Sequence, residues 1–272
     1  MQVRDGRGVG FAEWGDPAGP PVLAFHGGPG SRLMATGCER TAGELRLRLV
    51  CLERPGFGLS DHAPSRTLIG WADDVADATR ALGIEQFVVV GVSAGAPYAL
   101  ACGARLPELA RRVGIVSGVA PFAADTSELF AALLARDRPE AEAAARAHFA
   151  AMASDVDASV AAMAARAGPD QAVYSRPEVQ EQFRRTRREA FRSGIDGAVV
   201  DLMLVHQPWG FELRDVAVAC HWWHGALDPV SPLAALRAAT APMRDLQVTV
   251  FEDEGHAIGF THGVEILASL GD

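Results

Sequence analysis

The chain has few cysteines and lacks a long apolar run. Its four cysteines, among 272 residues, are Cys38, Cys51, Cys102 and Cys220. Because they are widely separated, and three lie in or beside apolar segments, we expect free thiols and a reducing compartment. No uninterrupted apolar stretch reaches membrane-spanning length. The first ten residues are polar and glycine-rich, unlike an export signal. We therefore expect a cytoplasmic protein.

Basic residues are outnumbered by acidic ones, 25 to 34. The formal net charge is -9 at pH 7, which argues against nucleic acid or an anionic membrane as the main partner. With 49% hydrophobic and 22% charged residues, the composition is that of an ordinary globular protein. The chain is long enough for one large α/β domain or for a core with one insertion.

Apolar runs and helical periodicity alternate through the first half of the chain. Helical spacing predicts helices at 67–82 and 257–270. Strands are predicted at residues 9–14, 21–25, 47–52, 87–92, 113–119, 216–223 and 247–251. Strands separated by helices of this length indicate a parallel sheet with helices on both faces.

The alternation breaks between residues 121 and 206, where the sequence is rich in alanine and arginine. This stretch shows helical signals interrupted by proline and glycine, and no convincing strand. The simplest account is a helical cap inserted between two parts of one core. We expect the core to comprise residues 1–120 and 209–272, and the cap to comprise residues 121–208.

The pentapeptide Gly91-Val92-Ser93-Ala94-Gly95 directly follows the apolar run 87–90. Glycines on both sides of a serine allow the chain to reverse sharply from strand to helix. The reversal exposes the hydroxyl at the positive end of the next helix. A tight turn whose serine only caps that helix is the alternative. The alanine- and leucine-rich sequence after the motif favours the nucleophile.

A nucleophilic serine needs a base and an orienting acid. Functional residues of open α/β sheets gather at the carboxyl ends of strands. Asp228 follows the strand predicted at 216–223, and His256 follows the strand at 247–251. The chain order Ser93, Asp228, His256 is that of α/β-hydrolases.

A glycine-rich loop, His26-Gly27-Gly28-Pro29-Gly30-Ser31, follows the strand at 21–25. Its backbone N–H groups are unobstructed by side chains and could stabilise a negative oxygen, together with the N–H of Ala94. Gly28 is the first candidate donor and Gly27 the next. Pro29 cannot donate.

Together these segments resemble the capped α/β-hydrolases, from end to end except in the cap. HGGPGS is similar to the oxyanion loop of prolyl iminopeptidases and their relatives, and ERPGFGLSD, GVSAG, HGALDPVSP and DEGHAIGF resemble further blocks of the superfamily. The resemblance implies a mostly parallel sheet of the eight-stranded type, with helices on both faces and a helical cap. It also implies catalytic Ser93, Asp228 and His256, an oxyanion hole of Gly28 and Ala94, and substrate contacts by Gly27 and by Trp209 of the PWGF segment.

We therefore expect a serine hydrolase that cleaves an ester or related acyl bond through an acyl-enzyme. The expected partner is a small-molecule substrate, and we expect no metal or organic cofactor. The oligomeric state is open, a homodimer included. Epoxide hydrolases and haloalkane dehalogenases of this fold carry aspartate at the elbow, so Ser93 argues against both.

Three other functions stay open. An aminopeptidase of the prolyl iminopeptidase type is second, because ERPG stands where that family usually has DQRG. Its cap carboxylates would be Glu178, Glu181 and Glu189, which lie among many arginines. Carbon–carbon bond hydrolysis is third, and a non-catalytic ligand-binding protein of this fold is the last.

Several polar residues have both a functional and a structural interpretation. A metal site at Cys220, His221 and His224 is disfavoured because strand side chains alternate between faces.

His26 and His262 are expected to be structural, and Glu53 is expected to form an ion pair that holds the Arg54 loop. The cap cluster could form a solvated helix face or recognise an acidic substrate group; it consists of Arg184, Arg185, Arg187, Arg188 and Arg192.

Overall fold

The computed structural model describes residues 1–119 and 138–271. Its strands are β1 (Phe11–Gly15), β2 (Pro21–Phe25), β3 (Arg48–Leu52), β4 (Phe87–Val92), β5 (Ala110–Val116), β6 (Ala219–Gly225) and β7 (Leu246–Phe251). The α-helices in these residues are α1 (Glu39–Glu44), α2 (Trp71–Ala81), α3 (Ala96–Arg105), α4 (Arg138–Ser154), α5 (Val156–Ala165), α6 (Gln171–Tyr174), α7 (Pro177–Ala190), α8 (Asp196–Val205), α9 (Leu233–Thr240), α10 (Ile258–Thr261) and α11 (Gly263–Gly271).

The strands form one sheet in the order β1-β3-β2-β4-β5-β6-β7. Only β1 is antiparallel to its neighbour, so the predicted mostly parallel sheet is confirmed. The described residues supply seven strands rather than the expected eight-stranded type. The chain runs from β2 outward to β3 and then returns to β4 on the other side of β2. This reversal places the loops after β2 and β4 side by side, at the point where open α/β sheets bind ligands.

Apolar clusters cover both faces of the sheet, and successive strand residues contribute to them in turn because their side chains alternate between the faces. Leu23 and Phe25 of β2 pack into one core cluster with Trp71 of α2 and Leu100 of α3. Their neighbours Val22 and Ala24 pack into a second cluster. Leu267 and Leu270 of α11 cover that side. A strand buried on both faces explains why β2 and β4 are continuously apolar.

Some predicted boundaries are wrong by a few residues. Strand β5 ends at Val116 because Ser117 adopts a left-handed backbone with φ 46. Strand β6 extends to Gly225, which pairs with Phe251 at the end of β7. The predicted final helix is divided into α10 and α11 at His262. None of the described helices is long and apolar enough to cross a membrane.

The cap helices α4–α8 lie between β5 and β6 in the sequence. The predicted start of the cap at residue 121 falls outside the described residues, so the domain boundaries stay a prediction. All four cysteines are free thiols; three are buried, and Cys38 is partly exposed.

A buried charge cluster joins the cap to the core. The guanidinium of Arg54, which follows β3, donates from Nε and Nη2 to the two carboxylate oxygens of Asp201 in α8, at 2.9 and 2.8 Å. The hydroxyl of Tyr98 in α3 donates to the same carboxylate at 2.7 Å. Arg66 Nη2 contributes a fourth donor at 3.1 Å. Asp201 therefore holds a cap helix against two segments of the core.

Burial alone would raise the pKa of Asp201. The charges of Arg54 and Arg66, with the hydrogen bonds to Arg54 and Tyr98, outweigh burial and lower this pKa to about 2. An unfolded aspartate titrates near 3.9. The carboxylate therefore contributes stability above about pH 4, and the contribution is lost as the pH falls towards 2.

We predict that Asp201→Asn lowers the free energy of unfolding at neutral pH by about 3–5 kcal/mol, because two buried guanidinium groups lose their counter-charge. Urea unfolding monitored by circular dichroism measures this change. The difference in unfolding free energy between Asp201→Asn and wild type should narrow as the pH approaches 3, because the wild-type carboxylate then begins to be protonated.

The matched control is Asp73→Asn, which breaks the exposed ion pair with Arg105. This change should cost less than about 1 kcal/mol. Equal losses in the two variants would contradict a special role for the buried cluster.

Candidate active site

Ser93 lies in a tight turn between β4 and α3. Its φ is 53, a left-handed conformation that is uncommon for a residue with a side chain. The flanking glycines are required sterically. A Cβ on Gly91 would lie 2.5 Å from the carbonyl oxygen of Gly95, and a Cβ on Gly95 would lie 2.4 Å from that of Phe25. The G-x-S-x-G spacing thus fixes the serine at the carboxyl end of the central strand.

The structure brings the three predicted catalytic side chains together. His256 Nε2 lies 3.0 Å from the hydroxyl oxygen of Ser93. His256 Nδ1 lies 2.8 Å from Oδ2 of Asp228. A carboxylate only accepts, so Nδ1 carries a proton and Nε2 of a neutral ring is the acceptor that faces Ser93. This is the geometry of a nucleophile, a base and an orienting acid.

The acid is held by its own loop after β6. Oδ1 of Asp228 accepts from the backbone N–H groups of Val230 and Ser231, at 2.8 and 3.0 Å. Behind it, His224 is fully buried and its Nε2 lies 2.7 Å from the Ser231 carbonyl oxygen. These contacts leave Oδ2 directed at His256.

Burial and charge set the protonation of the pair. Burial lowers the pKa of His256, but the Asp228 charge and hydrogen bond, with the charge of Asp170, outweigh burial and raise it above its usual value. For Asp228, burial raises the pKa, and the contacts with His256 and the Ser231 N–H lower it overall. The acid is therefore ionised when the base is neutral.

The predicted oxyanion loop lies against the turn that carries Ser93. A Cβ on Gly27 would be 3.4 Å from Cβ of Ser93, and a Cβ on Gly28 would be 3.3 Å from Cβ of Ala94. The Arg54 guanidinium donates to the carbonyl oxygens of His26 and Gly27, which holds the loop in place. The structure thus brings Gly27, Gly28 and Ala94 together beside Ser93, while their role as donors or substrate contacts stays a prediction.

His26 is fully buried under the ring of Phe57, with ring centroids 4.9 Å apart. Burial and the charge of Arg54 hold the pKa of His26 well below its usual value. The predicted structural role fits these contacts.

Glu53 and Trp209 are both buried and hydrogen-bonded. The ion pair expected of Glu53 forms with Arg32, whose Nη1 lies 2.8 Å from the carboxylate, and the same carboxylate accepts from the backbone N–H of Leu59 at 2.8 Å, in the loop that contains Arg54. Trp209, predicted to contact substrate, packs into the main core with Phe211, and its indole N–H donates to the carbonyl oxygen of Val205 at 2.9 Å. Its single polar group is therefore already hydrogen-bonded, and a substrate contact by Trp209 stays a prediction.

The two histidines of β6, His221 and His224, do not share a site. His221 stacks on Trp223 and contacts the Thr249 hydroxyl oxygen at 2.8 Å, whereas His224 lies on the opposite face behind Asp228. Within residues 1–119 and 138–271, no three histidine, cysteine or acidic side chains could hold a metal together. His262 stacks on Phe251, as expected of a packing residue.

The cap arginines are mostly paired on the outer face. Arg184 and Arg188 both contact Asp157, at 3.0 and 2.7 Å. Arg187 differs: it is buried beside the Phe183 ring and donates to the Ser159 hydroxyl at 3.0 Å. Burial lowers its pKa to about 10. The solvated-face interpretation therefore fits the cluster except Arg187.

One residue of the site was not predicted from the sequence. Asp170, in the turn before α6, accepts from the backbone N–H groups of His256 and Ala257, both at 2.8 Å. A break at Gly168-Pro169 marks this position in the sequence, but no motif connects it with a loop 86 residues later.

Proteins of known family and structure share this architecture. A family model described as alpha/beta hydrolase fold matches residues 20–263. A probable proline iminopeptidase of Streptomyces coelicolor is 36% identical over 108 residues, which cover 37% of this chain and 33% of that protein. The chain thus spans about a third of the length of this curated relative.

Two solved structures are similar along nearly the whole chain. An esterase from Exiguobacterium antarcticum superposes with a TM-score of 0.73 at 19% identity, covering 100% of this chain and 98% of that one. A thermophilic esterase from Thermogutta terrifontis gives 0.72 at 22% identity, with coverages of 99% and 93%. At these identities the likeness shows the fold.

We predict that an alkyl fluorophosphonate labels Ser93 and that the labelling rate falls as the pH drops through the raised pKa of His256, because only the neutral imidazole accepts the serine proton. Labelling rates measured by intact-protein mass spectrometry from about pH 4 to 9 test this. A rate unaffected by acid, or by His256→Ala at neutral pH, would contradict the assignment of the base.

Proposed function

This chain belongs to the alpha/beta hydrolase fold family, and we propose that it is a serine hydrolase that cleaves an ester or related acyl bond of a small molecule. This proposal is supported by two linked hydrogen-bond contacts, one between Ser93 Oγ and His256 Nε2 and one between His256 Nδ1 and Asp228 Oδ2. A serine that only capped a helix would have no use for a base and a buried acid aligned on its hydroxyl.

In the proposed reaction, Ser93 Oγ attacks the acyl carbon while His256 Nε2 accepts the hydroxyl proton. The imidazolium that forms lies 2.8 Å from the ionised Asp228, which stabilises its charge and keeps the ring oriented. The same proton then passes to the leaving alkoxide, which departs as the alcohol. An acyl-Ser93 ester is left.

The acyl carbonyl oxygen becomes negative at each tetrahedral stage. The N–H groups of Gly28 and Ala94 are proposed to bind it, and loss of one such donor in other enzymes costs about a hundred- to a thousandfold in rate. Water, deprotonated by His256, then attacks the acyl-enzyme and releases the acid and free Ser93. Ser93, His256 and water supply every group and proton that these steps transfer.

An aminopeptidase of the proline iminopeptidase type is the second candidate, supported by the curated relative and by the HGGPG loop. Such an enzyme must neutralise a free ammonium group near the nucleophile. Each buried carboxylate in the described ranges is already hydrogen-bonded within the protein; they are Glu53, Asp74, Asp77, Asp170, Asp201 and Asp228.

The cap glutamates do not supply that charge either. Glu178 and Glu181 are exposed, and Glu189 binds Arg32 at 2.6 Å. The electrostatics of the described residues therefore favour an uncharged acyl substrate over an amino terminus.

We predict that wild type hydrolyses p-nitrophenyl acetate and butyrate faster than proline p-nitroanilide, and that Ser93→Ala loses about a thousandfold or more in kcat/KM. Release of nitrophenolate or nitroaniline measures both. Failure to turn over either class, together with no phosphonate labelling of Ser93, would contradict a hydrolase and favour a ligand-binding protein. Preferential cleavage of the proline substrate would support the aminopeptidase instead.

We predict that Asp228→Asn lowers kcat by about three to four orders of magnitude, because an amide NH₂ facing Nδ1 favours the wrong tautomer of His256. Asp253→Asn is the matched control: Asp253 is an exposed carboxylate in the loop that carries His256. Ester hydrolysis should be unchanged in the control. Similar rates in the two variants would place the acid elsewhere.

A further inference from the structure

Asp170 is a buried cap residue whose side chain does not serve its own helix. It stands at the N-cap of α6, where aspartate ordinarily accepts from the first free N–H groups of the helix. Here its backbone is helical and its side chain makes no capping hydrogen bond. The residue is only 6% exposed, so the carboxylate has been directed into the protein.

The carboxylate instead binds the backbone of the loop that carries the catalytic histidine. Its Oδ2 accepts from the N–H of His256 and its Oδ1 from the N–H of Ala257, both at 2.8 Å. Two parallel charge-assisted bonds fix both position and orientation of the loop. Without them, two backbone donors, one buried, would lack a protein acceptor, which proteins rarely tolerate.

The fit between loop and carboxylate is close. A Cβ on Gly255 would lie 2.5 Å from both carboxylate oxygens of Asp170. Hence the residue before the catalytic histidine must be glycine for the cap to approach. Val173 and Val179 of the cap pack on Ala257 and extend the contact.

The carboxylate also acts through its charge. The charged or titratable groups near His256 are Asp228 in the loop after β6, His224 of β6 and Asp170 of the cap, with Tyr174 beside the two carboxylates. Asp170 adds to the effect of Asp228 in favouring the protonated imidazole. Its removal should therefore make His256 a weaker base.

We infer that Asp170 is a positioning residue through which the cap holds His256 in line with Ser93. The base is then fully assembled only when the cap is seated on the core. This inference rests on the proposed serine hydrolase, since it assigns Asp170 a role in the reaction of the same histidine.

The test measures labelling of Ser93 by an alkyl fluorophosphonate as a function of pH, in wild type, Asp170→Asn and Asp157→Asn. Asp157 is the matched control, an exposed cap carboxylate that pairs with Arg184 and Arg188. The asparagine at position 170 keeps the size of the side chain but removes its charge and turns an NH₂ towards one of the two N–H groups. Circular dichroism gives the folded fraction of each protein.

For Asp170→Asn we expect the limiting rate per folded molecule to fall about tenfold, because the base is less well placed. The acid limb of the profile, meaning the fall in labelling rate as the pH decreases, should move to lower pH, because a negative charge near the imidazole is lost. The control should match wild type in both respects. A structural role alone would lower the folded fraction without moving the acid limb.

Gly255→Ala provides a second variant, because it displaces the carboxylate sterically while the charge is kept. It should lower the limiting rate with a smaller displacement of the acid limb than Asp170→Asn. The inference is overturned if Asp170→Asn keeps the wild-type limiting rate and acid limb, or if its loss follows the folded fraction alone. Absence of labelling in wild type would instead refute the proposed function.

Discussion

The fully buried guanidinium of Arg54 connects the parts on which the proposed chemistry depends. It binds the carbonyl oxygens of His26 and Gly27 in the glycine loop, and the carboxylate of Asp201 in the cap. Its central carbon lies 4.7 Å from the ring centroid of Tyr98, in the helix that follows Ser93. A guanidinium has five donors in a rigid plane, which suits it to hold three segments at once. A lysine could not replace this geometry.

Around this cluster, the site is assembled by steric exclusion as much as by attraction. The turn at Ser93 is possible because Gly91 and Gly95 leave no Cβ where a carbonyl oxygen must lie, and the cap approaches His256 because Gly255 leaves room for Asp170. The loops from β2, β4, β6 and β7 meet at one edge because the parallel strands all end there. Precision therefore comes from the rigid sheet, and the charged contacts fix what the sheet leaves free.

The sequence allowed local features to be predicted, because each is encoded within a few residues. Alternating apolar runs indicated the sheet, and the turn chemistry around Ser93, Asp228 and His256 placed three loops at its carboxyl edge. Contacts between distant segments could not be predicted. The bond from Asp170 to His256 and that from Arg54 to Asp201 span 86 and 147 residues, and a single sequence offers no periodicity to link them. The same limitation applies to Glu53, whose ion-pair partner Arg32 lies 21 residues before it in the chain.

If Ser93 attacks an acyl carbon, the carbonyl oxygen should be stabilised beside it by the N–H groups of Gly28 and Ala94. A crystal structure of the protein after reaction with an alkyl fluorophosphonate would reveal both features, because the tetrahedral phosphorus mimics the intermediate. We expect phosphorus bonded to Ser93 Oγ and its oxygen about 3 Å from the backbone nitrogens of Gly28 and Ala94. An adduct on another residue, or a phosphonyl oxygen turned away from both N–H groups, would contradict this mechanism.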